Sequence, residues 1–155
     1  MVRWRRRITF MTNAILHKIA SLKDLKKFAA LFAKDLKPGD VVALGGELGA
    51  GKTTLVQMAA RALGVKARVA SPTFVIFKIY DATKNKQGIK RLCHADLYRI
   101  NTAESAIGFE ECFADSGAVC FIEWAEKMKK KLPKGAIWVK MGIASNGDRV
   151  IKVLK

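Results

Sequence analysis

The chain has 155 residues, half of them hydrophobic, which suffices for one domain with a hydrophobic core. No apolar stretch is long enough to span a bilayer, so no membrane partner is expected, and the arginine-rich start is not followed by the apolar segment of a signal peptide. Lys and Arg number 29 against 13 Asp and Glu, and the resulting net charge of +16 favours contact with phosphate backbones or an acidic partner.

The three cysteines, Cys93, Cys112 and Cys120, lie in apolar segments. Their odd number predicts buried thiols in a reduced, cytoplasmic protein rather than a disulfide framework. A zinc site that combines them with His94 is the alternative, although their spacing matches no CxxC pattern.

Residues 1–20 are predicted to be a basic N-terminal extension, with Met11 as an alternative start. Ser21 occupies the place of a helix N-cap, and the single domain is predicted to cover 21–155. Apolar residues then follow at helical spacing: Leu25, Phe28, Ala29, Phe32 and Leu36.

A phosphate-binding loop follows, between the apolar strand pattern of 41–44 and the helical pattern of 53–63. The template G-x-x-x-x-G-K-[ST] is matched at every fixed position by Gly46, Glu47, Leu48, Gly49, Ala50, Gly51, Lys52 and Thr53. Backbone N–H groups of such a loop point at phosphate oxygens, and the helix N-terminus adds partial positive charge. We therefore predict nucleotide binding, with Lys52 at the β- and γ-phosphates and the Thr53 hydroxyl on Mg²⁺.

The remaining pattern alternates between strands and helices. Strands are predicted at 68–70, 74–80, 89–93, 118–122, 137–143 and 149–154, and helices at 102–113 and 126–132. Asn146-Gly147 is a hairpin turn signal between the last two strands. The prediction is an α/β protein, a P-loop NTPase-like three-layer sandwich whose mixed sheet is parallel at its centre.

Two acids, Asp96 and Glu123, end strand-like segments. Ligands of open α/β sheets bind beyond the carboxyl ends of parallel strands, so both acids are expected near the phosphate loop. One is predicted to hold Mg²⁺ through a water and the other to orient the attacking water. The alternative is that a strand-end acid caps a neighbouring helix.

Three further residues carry weaker signals. Thr73 lies where phosphate-loop proteins often place a residue that senses γ-phosphate and Mg²⁺, but Ser-Pro-Thr is also an ordinary turn. Trp124 either covers the nucleotide or fills a gap. His94 is expected to pack against or bond its neighbours rather than to act in catalysis.

Four segments together resemble one family: 46–54 (GELGAGKTT), 71–74 (SPTF), 94–99 (HADLYR) and 122–124 (IEW). Their order and spacing are similar to those of the bacterial threonylcarbamoyladenosine-biosynthesis ATPases, the TsaE or YjeE family. The similarity extends from about Ser21 to the C-terminus. Glu47 stands where Asp is commoner, Lys23-Asp24 replaces a usual Glu-Thr pair, and the arginine-rich start has no counterpart.

The resemblance implies a slow ATPase that uses ATP and Mg²⁺ and supports threonylcarbamoylation of adenosine 37 in tRNAs reading ANN codons. The implied partners are the threonylcarbamoyl transferase and its inactive paralogue, with tRNA contact inside that complex as a further expectation. The motifs imply a nucleotide site that adds Thr54, Thr73 and Trp124 to the loop residues. They also imply a Mg²⁺ role for Asp96 beside Thr53 and a catalytic carboxylate role for Glu123, which is also a candidate Mg²⁺ ligand.

Other function classes remain as alternatives. A small-molecule kinase of the P-loop class needs an arginine-bearing lid, and Arg149 is the only arginine after Glu123. A GTPase usually carries N-K-x-D, and the segment 85–88 (NKQG) lacks the acid. A non-enzymatic basic tRNA-binding module would bind without ATP and with steep salt dependence.

Overall fold

The computed structural model describes residues 14–72, 77–101 and 108–154. Within these residues, seven strands form one sheet in the order β1-β7-β6-β2-β5-β4-β3. The strands are β1 Ile15–Ile19, β2 Val41–Gly46, β3 Phe77–Asp81, β4 Arg91–Asp96, β5 Ala118–Glu123, β6 Ile137–Ile143 and β7 Arg149–Leu154. The helices are α1 Leu22–Asp35, α2 Lys52–Ala62 and α3 Phe109–Ala114, and the 3₁₀ segment is Ala125–Lys131.

The centre of the sheet is parallel and its margins are antiparallel, as predicted. Strand β2 pairs in parallel with β5 on one side and with β6 on the other, and β4 pairs in parallel with β5. Strand β3 is antiparallel to β4, and β7 is antiparallel to both β6 and β1. The central strands read as continuous apolar runs because both of their faces are buried.

Helical elements cover both faces of this sheet, so the three-layer prediction is also confirmed. Alternate side chains of a strand point to opposite faces. Val42 and Leu44 pack in one cluster with buried residues of α1 and α2. Val41 and Ala43 pack in a second cluster with residues of α3 and the 3₁₀ segment.

Helix α1 begins as the sequence predicts. The Ser21 side chain accepts a hydrogen bond from the Asp24 backbone N–H at 3.2 Å, which satisfies one of the free donors of the first turn. The predicted apolar positions form the buried face of the helix and its C-cap, namely Leu25, Phe28, Ala29, Phe32 and Leu36.

The predicted domain boundary at Ser21 is too late, since part of the supposed extension is a strand. β1 pairs with β7 from Ile15 opposite Val153 to Ile19 opposite Arg149, and Ile19 is buried in the core. This edge strand exposes Ile15 and Leu16, so it lacks the clean alternation that marks a half-buried strand. Residues 1–13 lie outside the described part of the chain.

Three other elements differ from prediction. No strand forms at 68–70, where the Gln57 side-chain amide donates to the Val69 carbonyl at 2.9 Å and takes an acceptor that a strand partner would need. The predicted helix at 126–132 is the 3₁₀ segment, and the described part of the predicted helix at 102–113 begins at Phe109. None of the described helices has the length and apolarity needed to cross a bilayer.

We expect Phe121→Ala to lower the free energy of unfolding by about 3–5 kcal/mol, because it empties a large site in the core under α1 and α2. Phe121 is 0% exposed. The matched control is Leu31→Ala on α1, where Leu31 is 47% exposed and a change within about 0.5 kcal/mol is expected. Urea denaturation followed by circular dichroism measures both, and equal losses in the two variants would contradict this assignment of the core.

Candidate nucleotide site

The loop between β2 and α2 has the backbone that the motif requires. Gly46 adopts φ +139° and Gly51 adopts φ +101°, a left-handed region that favours glycine. A Cβ at Gly46 would also overlap the backbone carbonyl oxygen of Met141 on β6. The loop therefore leaves the sheet through a gap that admits no side chain.

Helix α2 presents its N-terminus to this loop. Gly51 is the N-cap and Lys52 the first helical residue. The first N–H groups of a helix have no partner within the helix and carry its positive dipole end. A glycine-rich loop followed by such a helix end is an anion site suited to phosphate.

The Lys52 side chain lies across the loop. Its Nζ donates to the carbonyl oxygens of Gly46 at 2.6 Å and Glu47 at 2.9 Å, and lies 4.2 Å from the centre of the Trp124 ring. Burial lowers the pKa of Lys52, and four nearby carboxylates, with Glu123 foremost, oppose that shift. The cation is thus held at the phosphate loop by carbonyls, an aromatic face and surrounding acids.

Thr53 and Glu123 meet directly beside Lys52. The Thr53 hydroxyl lies 2.8 Å from Glu123 Oε1 and 2.9 Å from Oε2, and Glu123 is 3% exposed. Glu123 reaches this position because β5 is the parallel neighbour of β2 and ends at the same edge. A hydroxyl and a carboxylate are the oxygen ligands that Mg²⁺ prefers, so the residues present fit that ion.

Asp96 lies opposite Glu123 in the β4–β5 register, one strand further from the loop. Its Oδ2 accepts from the Ser71 hydroxyl at 2.8 Å, and its Oδ1 accepts from the Tyr98 backbone N–H at 2.9 Å. The prediction that both acids lie at the carboxyl edge near the loop is confirmed. The bonds of Asp96 and Glu123 within the described chain go to loops and side chains, which disfavours the helix-cap alternative.

His94 is completely buried beside Glu123. Its Nε2 lies 2.7 Å from Glu123 Oε1, so the prediction that His94 bonds a neighbour is confirmed. The other ring nitrogen, Nδ1, has no hydrogen-bond partner among the described residues. A buried polar atom left unpaired lowers stability by about 1–3 kcal/mol, so His94 stabilises the core less than an apolar side chain of similar size would.

The cysteines lie on the other face of the sheet. Cys93, Cys112 and Cys120 are buried in the α3-side cluster, with their sulfur atoms within 4.8 Å of one another. His94 follows Cys93 on the strand and points to the opposite face, where it bonds Glu123. The alternative zinc set that included His94 is therefore wrong, and the predicted burial of the thiols is confirmed.

Trp124 lies beside the loop in an uncommon backbone conformation. Its φ is +56°, and its ring tilts against Tyr98 with centroids 5.1 Å apart while contacting Lys52. Thr54 occupies the first turn of α2. Thr73 lies outside the described residues.

Two residues near the loop were not predicted as site residues. Glu126 approaches so closely that a Cβ at Gly45 would overlap its Oε1, and it is one of the carboxylates acting on the Lys52 pKa. Arg149 Nη2 donates to the Gly49 carbonyl at 3.2 Å. Neither residue follows from a periodic sequence pattern. Glu126 returns to the loop through the left-handed turn at Trp124, and Arg149 comes from the β6–β7 hairpin, which is distant in sequence.

We expect Gly46→Ala to destabilise the protein more than Gly49→Ala. Both positions have positive φ, a strain worth about 1–3 kcal/mol in each variant. A Cβ at Gly49 meets no heavy atom within 4 Å, whereas one at Gly46 must displace a β6 carbonyl. The Gly46 variant should lose about a further 1–3 kcal/mol, the range for overpacking, in urea denaturation. Equal stabilities would mean that β2 and β6 are not in close contact there.

Comparisons with known proteins agree with this geometry. The family model described as "Threonylcarbamoyl adenosine biosynthesis protein TsaE" matches residues 19–151. The chain is 38% identical over 129 residues to the tRNA threonylcarbamoyladenosine biosynthesis protein TsaE of Bacillus subtilis, covering 83% of this chain and 78% of that protein. It is 36% identical over 143 residues to the protein of the same name from Rickettsia prowazekii, covering 90% and 94%.

A solved structure shares the fold as well. The crystal structure of Bacillus subtilis YdiB matches with a TM-score of 0.74 and 32% identity, covering 94% of this chain and 87% of that one. The family match spans the phosphate loop, both acids and every strand of the sheet except most of β1 and the end of β7. The chain therefore belongs to the TsaE family.

Proposed function

We propose that this chain is an ATPase that binds ATP with Mg²⁺ at its phosphate loop and acts in tRNA threonylcarbamoyladenosine biosynthesis in the cytoplasm. The observation that carries the proposal is the contact of the Thr53 hydroxyl with the Glu123 carboxylate beside Lys52. The loop amides supply the phosphate cradle, and the family to which the chain belongs supplies the pathway.

The loop residues 46–54 would bind the phosphates, with the Lys52 ammonium at the β- and γ-phosphates. Thr53, Glu123 and Asp96 would hold Mg²⁺ directly or through water. The bound ion would neutralise charge developing on the phosphoryl oxygens. Glu123 contacts Thr53 directly, whereas Asp96 lies one strand away and accepts a hydrogen bond from the Ser71 hydroxyl.

For hydrolysis, a water oxygen attacks the γ-phosphorus and the bond from phosphorus to the ADP oxygen breaks. Glu123 is proposed to orient that water and accept its proton, as a carboxylate at the edge of the loop is able to do. Lys52 stabilises negative charge on the transferring group. Trp124, in contact with Lys52, would lie beside the nucleotide.

We place this ATPase in a complex with the threonylcarbamoyl transferase and its inactive paralogue, where its ATP cycle supports repeated modification of adenosine 37 in tRNAs reading ANN codons. The net charge of +16 supports tRNA contact inside that complex.

The same charge favours a second candidate function, a basic tRNA-binding module without ATP turnover. A kinase is disfavoured because Arg149, its one candidate lid arginine, bonds the loop backbone.

ATP hydrolysis separates these functions. We expect slow turnover by the chain alone, a higher rate when the cognate transferase pair is added, and loss of both rates in Lys52→Ala because the phosphates lose their cation. The assay follows released phosphate with Mg²⁺ present. Absence of turnover in both conditions, with salt-sensitive tRNA binding that ignores ATP, would instead support the binding module.

The two acids are expected to differ. Glu123→Ala should lower turnover by about 100-fold, within the range for loss of a general base, and should weaken ATP binding less than it lowers turnover. Asp96→Ala should abolish productive use of Mg²⁺-ATP, with the fold retained. Glu111→Ala on the opposite layer is the control, since Glu111 is exposed on α3. Lost ATP binding with normal residual turnover in Glu123→Ala would reverse the two roles.

A further inference from the structure

The buried contact between His94 and Glu123 joins two neighbouring strands behind the phosphate loop. In the β4–β5 register His94 lies opposite Phe121, and Glu123 follows two residues later on the same face of the sheet. His94 is 0% exposed and Glu123 is 3% exposed. We propose that His94 is a positioning residue that fixes the carboxylate of Glu123 for ATP hydrolysis, an inference that rests on the proposed ATPase function.

Two donors determine how this carboxylate is oriented. The single hydroxyl hydrogen of Thr53 is shared between Oε1 and Oε2, at 2.8 and 2.9 Å. The Nε2 of His94, at 2.7 Å, contacts Oε1 alone. Thr53 by itself therefore permits either oxygen to accept its hydrogen bond, whereas His94 distinguishes the two oxygens. With Oε1 occupied, Oε2 is the oxygen with acceptor capacity left for a water or an ion.

The ring nitrogen without a partner supports this assignment. A neutral histidine carries one N–H and one acceptor nitrogen, and a carboxylate requires the proton on Nε2. Nδ1 has no partner among the described residues, so the contact with Glu123 is the hydrogen bond that the described structure gives this ring. An apolar side chain would fill this part of the core without an unpaired atom. The polar ring is thus explained by the bond it makes to Glu123.

A positioning role predicts a change in turnover rather than in affinity. His94 lies behind the carboxylate and bonds neither the loop backbone nor Lys52 in the described structure. Phosphate binding by the loop therefore does not depend on it directly. Loss of the Nε2 donor should leave Glu123 bonded to Thr53 but able to rotate, so its oxygens spend less time in the reactive orientation.

The test compares His94→Leu, which removes the donor, with His94→Gln, whose side-chain amide restores a donor near the same place. We expect His94→Leu to lower kcat by about 10–100-fold, the usual cost of losing a supporting hydrogen bond at a site. KM and the dissociation constant of a fluorescent ATP analogue should stay within about 3-fold of wild type, and His94→Gln should recover most of kcat. His17→Gln is the matched control, because the only other histidine lies on β1 against Phe28.

A double-mutant cycle decides whether the effect passes through Glu123. In a Glu123→Ala background, a further change of His94 to Gln or Leu should leave kcat unchanged, because the group that it orients is gone. Additive losses, or a wild-type kcat in folded His94→Leu, would overturn the proposal. If His94→Leu does not fold, His94→Met, which also lacks the donor and has a more adaptable side chain, takes its place in the same cycle. Absence of ATP hydrolysis in both the wild-type chain and the His17→Gln control would instead refute the ATPase function on which the proposal rests.

Discussion

The parallel pairing of β2 with β5 is the constraint on which the site depends. Because both strands end at the same edge of the sheet, the last residue of β5, Glu123, arrives beside the first turn of α2. These strands are distant in sequence, and their adjacency is a property of the strand order rather than of any local motif. Asp96 ends β4 at the same edge, opposite Glu123. The parallel strands β2, β5 and β4 therefore place the phosphate loop and these two acids side by side.

Buried polar groups are concentrated at this edge. Among the described residues, the buried polar or charged side chains are Lys52, His94 and Glu123. Burying such groups is costly unless they are paired, and here they are held by loop carbonyls, by Thr53 and by each other. The rest of the core is apolar, so the fold concentrates its polar burial where phosphate chemistry is proposed. That distribution supports the site in addition to the motif.

The strongest sequence signals predicted the central features of the fold because each rests on local chemistry. The loop template, the cap at Ser21, the apolar run of β5 and the Asn146-Gly147 turn all appear where they were expected. The failures have a common cause in tertiary context. Strand β1 is stabilised by its edge pairing with β7, which comes from the far end of the chain. In the 68–70 segment, the Gln57 side chain rather than a neighbouring strand bonds the Val69 carbonyl.

The site contacts that the sequence does not predict also depend on tertiary structure. His94 was predicted to bond a neighbour, but its partner depends on the β4–β5 register, which no spacing rule gives. Glu126 returns to the loop through the left-handed turn at Trp124. Roles for Thr73 stay predictions, because that residue lies outside the described chain.

The local charge at the site opposes the charge of the whole protein. The chain carries a net charge of +16, yet four carboxylates act on Lys52, from Glu123, Glu126, Asp96 and Glu47. The long-range field attracts polyphosphate or RNA, while the immediate surroundings of the loop repel a bare phosphate chain. A divalent cation that entered with the nucleotide would relieve this repulsion, and Glu123 and Asp96 are the carboxylates proposed to hold it. The four carboxylates around Lys52 are thus an argument for the proposed metal–nucleotide complex rather than for free phosphate as the ligand.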